Sequence, residues 1–192
     1  MNIPSRAEAE NLLNEAATMF PGEWVAHNRV AGKCAEAIAE KCGDIDPEAA
    51  YVLGLLHDIG RRFGSSDLRH VINGYKFMQE QGYTDSARIC LTHSFPLKDM
   101  ASYNGHNDCD SDETIFIQSY ISKTQYDDYD RLIQLCDAIS YPAGPCHLEK
   151  RFVDVVMRKG FSELTIPKWQ EFYKIKKYFE EKLQLKVEDL FR

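Results

Sequence analysis

The sequence predicts an all-α protein, a single-domain helical fold of about eight to ten helices. Apolar residues recur at three- and four-residue spacing through almost every segment. No strict alternation long enough for a strand occurs, and helix start and stop residues punctuate the chain at short intervals. With 192 residues, 44 % of them apolar and 28 % charged, the chain is the size of one globular domain, taken as residues 1–192.

Ser5-Arg6-Ala7-Glu8 is a capping-box pattern that opens a helix to about Thr18, which Pro21-Gly22 breaks. A second helix, about Glu23 to Cys42, puts His27, Val30, Ala31, Cys34 and Ile38 on one stripe, and Gly43 ends it. Asp46-Pro47 starts a third, running to about Arg61, as N-cap and first-turn proline. It is apolar nearly all round (Tyr51, Val52, Leu53, Leu55, Leu56, Ile59), as a central buried helix should be. Further helices are expected at about Arg69 to Gln81, Thr84 to His93, Asp112 to Lys123, Tyr126 to Ser140, His147 to Lys159 and Pro167 to Leu185. A last short turn is expected at Val187 to Phe191. Residues 94–111 have no period and carry Pro, Gly and two Asn, so they form a loop long enough to be functional.

The 23 Lys and Arg against 30 Asp and Glu leave a net charge of −7, which argues against a nucleic-acid polymer as partner. A small phosphate ester remains open, since a metal ion can supply local positive charge. MNIPSRAEAE lacks the apolar core of a signal peptide, and the apolar stretch near Tyr51 to Leu56 falls far short of the roughly 20 residues that cross a bilayer. The expectation is a cytoplasmic protein with no membrane partner, and homo-oligomerisation is left open. The six cysteines form no CxxC pair and are read as buried thiols.

The histidines carry the chemistry. His27 and His93 lie on inward faces, His57-Asp58 closes the most apolar helix, and Asp137 sits between Cys136 and Ile139. A carboxylate in apolar surroundings is costly unless paired or metal-bound, so Asp58 and Asp137 need partners. Singly, each residue reads as an ordinary core or capping residue; together they point to a site of nitrogen and oxygen ligands without thiolate. That donor set suits Fe, Mn, Ni, Co, Zn or Mg. Asp108, Asp110 and Asp112 imitate a calcium loop, but Glu113 and Ser119 stand where Gly and Glu are required. His106 with Cys109 has no second half of a zinc site. Lys168, Lys174, Lys176 and Lys177 read as a solvated helix face between Trp169, Phe172 and Tyr178.

His27, then His57-Asp58 within GLLHDIGRR, then Asp137 within LIQLCDAIS resembles the HD-domain superfamily of metal-dependent phosphohydrolases, over about residues 20–145. Helices 147–192 are expected to pack on that core. The resemblance implies one divalent metal bound by His27, His57, Asp58 and Asp137, with His57 and Asp58 central to catalysis. It also puts His70 and His93 where two-metal members hold a second ion. Ser94 stands where many of those members have a further histidine, so the second ligand set is partial and oxygenase chemistry is disfavoured. Arg61, where the family often has a cation, and Arg62 and Lys98 are candidates for binding substrate phosphate. The implied function is hydrolysis of a phosphate ester, in a nucleotide or similar small phosphorylated metabolite, by metal-activated water. A metal-binding regulatory or ligand-binding module without turnover is the alternative.

Overall fold

In the computed structural model, which describes residues 1–191, the capping box forms: Ser5 accepts from the Glu8 amide and Glu8 accepts from the Ser5 amide. It opens α1 (Arg6–Met19). The chain continues through α2 (Glu23–Cys42), α3 (Pro47–Leu56), α4 (Arg69–Glu80), α5 (Thr84–Thr92), α6 (Ser111–Lys123), α7 (Asp128–Ala138), α8 (Leu148–Lys159) and α9 (Thr165–Leu183). The fold is all-α, as the periodicity predicts. Gly43, at φ 76°, ends α2 in the left-handed conformation that glycine adopts without a Cβ clash. Asp46 caps α3 through the amides of Glu48 and Ala49.

α3 stops at Leu56, five residues before the expected end at Arg61, and Ile59–Phe63 follow as a tighter 3₁₀ segment. Close packing explains the difference. A Cβ on Gly60 would stand 2.0 Å from the His70 carbonyl oxygen, so the chain leaves the helix to lie directly on α4. The other unforeseen feature is a hairpin, β1 (Ser140–Tyr141) antiparallel to β2 (Gly144–Pro145). Strands of two residues leave no alternation to read. Residues 94–110 are irregular apart from one 3₁₀ turn, Met100–Ser102, as the absent period predicts.

α2 and α3 cross at Gly32 and Gly54, where a Cβ on Gly54 would lie 2.8 Å from Gly32 Cα and 2.9 Å from the Ala31 oxygen. Asn28 Nδ2 donates to the Leu55 oxygen across the same contact. One apolar cluster joins α2, α7 and α9 through Ile38, Ile133, Leu135 and Phe179. A second joins α1 to α3 through Leu13, Leu55 and Leu56, and a third lies beneath the irregular loop around Leu91, Phe95 and Ile117. The six cysteines are free thiols. Among the described residues no helix is long and apolar enough to cross a membrane.

Candidate metal centre

His57 and His93 cap the C-terminal ends of α3 and α5, and Asp137 lies one residue from the end of α7. His70 is the second residue of α4 and His27 the fifth of α2, so several helix ends aim at one point. The break after Leu56 frees Asp58, at φ −104° and ψ 16°, from the helical rotation that would have separated it from its neighbour. His57, Asp58, His70 and His93 are buried, and His27 is nearly so. The Asp137 side chain is a quarter exposed.

Each of these four imidazoles is anchored through Nδ1. His27 donates to the Ser140 oxygen in β1 (3.1 Å), His57 to the Gly54 oxygen (2.7 Å), His70 to the Asp67 oxygen (2.5 Å) and His93 to the Ile89 oxygen (3.1 Å). A carbonyl only accepts, so the proton sits on Nδ1 and Nε2 is left as the coordinating end, the arrangement that metal-ligating histidines use. Burial pushes His57 down to about 4 and also lowers His70, so both rings are neutral at pH 7.

The Nε2 atoms converge. His27 Nε2 lies 3.2 Å from His57 Nε2 and 3.1 Å from Asp137 Oδ1, which is itself 3.8 Å from His57 Nε2. Asp58 Oδ1 is 2.9 Å from His70 Nε2 and 3.4 Å from His93 Nε2, yet this buried oxygen accepts no hydrogen bond. Ligands bonded at about 2.1 Å stand about 3.0 Å apart around an octahedral ion and about 3.4 Å around a tetrahedral one. The donor set therefore fits a divalent cation in spacing and chemistry, and such an ion would satisfy the orphaned Asp58 oxygen. Three overlapping groups have their ligand atoms within 4.8 Å of one another: His27, His57 and Asp58; His57, His93 and Asp137; Asp58, His70 and His93. His93, expected only in the second ligand set, lies within reach of His57 and Asp137 as well as of Asp58 and His70, so the two sets are contiguous.

Burial pushes both carboxylates up, but the groups beside them prevail. The Arg61 guanidinium is the main group holding Asp58 well below the usual carboxylate range, and His27 is the main group lowering Asp137. Arg61 Nε donates to Asp58 Oδ2 at 2.5 Å, and its Nη2 lies 3.5 Å from His70 Nε2. Arg61 borders the cleft, but its charge is committed to Asp58.

The other two expected phosphate ligands stand elsewhere. Arg62 turns toward α1, where it donates to Glu15 at 2.8 Å and lies over the Phe77 ring. Consecutive residues of a 3₁₀ turn diverge, so Arg61 and Arg62 cannot both face the centre. Lys98 donates to the Thr124 oxygen at 2.8 Å and lies over the Tyr126 ring, held away by the fold of its loop.

The centre opens into a cleft of about 900 Å³. Its walls include Ser94, Tyr103 and His106 from the irregular loop, and Arg151, Lys168 and Trp169 from α8 and α9. The sequence did not single out Arg151, and it put Lys168 on a solvated helix face beside Trp169; the structure corrects this, because Lys168 lines the cleft and is held by Ser102 and Asn104. One signal was available: Lys168 is in register with Phe172, Ile175, Phe179 and Leu183, the buried stripe of α9. A lysine on that stripe faces inward.

The family model for the HD domain matches residues 25–141, more than half of the chain. No curated protein and no solved structure matches it.

Proposed function

The chain belongs to the HD domain family, made up largely of metal-dependent hydrolases whose members bind divalent metals, and from that premise we propose that it is a metal-dependent phosphohydrolase. The substrate we assign is a nucleotide or similar small phosphorylated metabolite. One observation carries the reading: four imidazoles tethered through Nδ1 turn Nε2 toward two ionised carboxylates, beside a cleft large enough for a small ligand.

His27, His57, Asp58 and Asp137 would hold the principal ion, and Asp58, His70 and His93 offer a second, contiguous set. A bound divalent ion polarises a phosphoryl oxygen and lowers the pKa of water toward neutrality. Asp58 Oδ1 accepts no hydrogen bond, so one lone pair would face the ion and the other, on an ionised carboxylate, can accept the proton of an attacking water. The water oxygen forms the new bond to phosphorus, the ester P–O bond breaks, and the alcohol leaves with the proton that Asp58 took up. Arg61 fixes Asp58 through Oδ2 and leaves Oδ1 for this work.

The test is metal content by mass spectrometry on protein purified without chelator, followed by a phosphate-release screen with Mn, Fe, Mg, Co and Ni. Phosphate release that disappears on chelation is the expected result. A metal-loaded protein that releases phosphate from no ester is a binding module, and the proposal then fails.

A further inference from the structure

The cleft that holds the ligand cluster is also lined by four cations from α8 and α9: Arg151, Arg158, Lys159 and Lys168. Two are neutralised. Arg158 holds Asp154 at 2.7 Å and Lys159 holds Asp67 at 3.0 Å. The other two are not.

Lys168 Nζ donates only to neutral oxygens, the Ser102 carbonyl and Asn104 Oδ1, both at 3.1 Å. Among the described residues no carboxylate lies within the 4.0 Å of an ion pair. Burial accordingly pushes this ammonium down to about 8, with Asp137 the one charge drawing it back up. The Arg151 guanidinium touches carboxylates only loosely, 4.0 Å from Asp137 Oδ1 and 3.8 Å from an Asp154 already bound by Arg158. Arg151 thus borders Asp137, and the Asp137 charge also acts on Lys168. A desolvated charge without a partner is unfavourable, and positions of this kind are filled by a ligand of opposite sign.

The charge balance specifies the ligand further. Around the cluster, Asp58 is matched by Arg61, leaving Asp137 against Arg151 and Lys168 before any ion is counted. One divalent ion makes the pocket strongly positive, a better match for two negative charges than for one.

We propose that Arg151 and Lys168 form an anion seat facing the metal centre, and that it selects a dianionic phosphomonoester over a phosphodiester. The inference rests on the phosphohydrolase reading and deepens it. It puts phosphoryl recognition in two helices beyond residue 141, where the family match ends. The arginine supplies a planar fork and the lysine a point charge, the usual complement for phosphate oxygens.

The test uses the full chain loaded with manganese. Inorganic phosphate is titrated calorimetrically into wild type, Lys168→Met, Arg151→Met and Lys168→Arg, with metal content measured on each sample. Turnover of 4-nitrophenyl phosphate and bis(4-nitrophenyl) phosphate is measured in parallel. Each methionine variant should bind phosphate about 10–100-fold more weakly, as expected for loss of a charged hydrogen bond, at unchanged metal content. Lys168→Arg should recover part of the loss, and the monoester-to-diester ratio of kcat/KM should fall in both methionine variants. Wild-type affinity in those variants, a wild-type preference for the diester, or phosphate affinity lost together with the metal each overturns the seat. If phosphate binding follows the expected pattern but no ester is hydrolysed, the seat stands and the hydrolase reading falls. If esters are hydrolysed while the variants bind phosphate like wild type, the reverse holds.

Discussion

Replacing Gly54 by alanine adds one methyl group where two helix backbones touch, and its consequence should reach the metal centre. The new Cβ would lie 2.8 Å from Gly32 Cα and 2.9 Å from the Ala31 oxygen, against an ordinary contact that begins at 3.4 Å. The obstructing atoms are backbone, so no side chain can swing aside and α2 must part from α3 by about 0.6 Å. Overpacking of this kind costs about 1–3 kcal/mol, which in a chain of this size lowers Tm by about 2–12 °C. His27 rides on α2 and His57 ends α3, their Nε2 atoms 3.2 Å apart. Metal sites tolerate about 0.2 Å of ligand displacement, so the same shift should weaken metal affinity about 10–100-fold. Leu13→Ala in α1, which carries no ligand, is the control: it should destabilise by about 2–5 kcal/mol with metal affinity intact. Thermal melts and manganese titrations at a temperature where all three proteins are folded decide the matter. Wild-type metal affinity in Gly54→Ala would refute the coupling between the helix crossing and the site.

Asp58→Asn removes the charge while keeping the volume, so phosphate release should fall by several orders of magnitude with helical circular dichroism unchanged; comparable activity would take Asp58 out of the mechanism. The purified protein should hold close to one tight metal per chain, because the Arg61 guanidinium already stands beside Asp58 and His70 in the second ligand set. Arg61→Met or Ser94→His should raise that number toward two, and two dialysis-resistant ions in wild type would contradict the argument. Arg62→Met should leave turnover within about twofold of wild type, since its partner is Glu15. Phosphate affinity should decline as pH rises through about 8, where the Lys168 ammonium loses its proton. Across from it, Asp137 stays ionised and Tyr103 is pushed far above its ordinary value, while Arg151 keeps its charge, so none of these titrates in that window. In Lys168→Arg the decline should vanish, and its persistence would assign it to another group.

The helices were legible because each carries its own period and α1, α3, α6 and α7 also carry side-chain caps. Where the reading ran past the structure, the cause was tertiary. The run from Pro47 to Arg61 is apolar enough to continue as one helix, and only the approach of Gly60 to α4 stops it at Leu56. That contact lies between residues with no sequence relation to one another, so local propensity contains no trace of it. The ligand cluster was legible for a different reason. Histidine and aspartate on apolar faces break the burial pattern, and each exception marks a residue that needs a partner.

The cations of α8 and α9 obey opposite rules, which is why the cleft wall escaped notice. A lysine on an amphipathic helix satisfies the expected pattern of a solvated face, and Lys174 and Lys177 behave that way, largely exposed and paired along their own helix. Lys168 differs only in register, standing one turn before Phe172 on the stripe that meets the core. Arg151 likewise shares α8 with Arg158, yet one is loosely held and the other tightly paired to the same Asp154. What sets Lys168 and Arg151 apart is therefore the lack of a close carboxylate, with no ion pair at Lys168 and none nearer than 3.8 Å at Arg151. That lack is a property of the assembled cleft, because the irregular loop offers Lys168 only the neutral oxygens of Ser102 and Asn104, and Asp137 of α7 acts on it without pairing. The core proposed to hold an ion can thus be read from a motif, whereas the wall proposed to choose among phosphate esters must be read from charge that lacks a close partner.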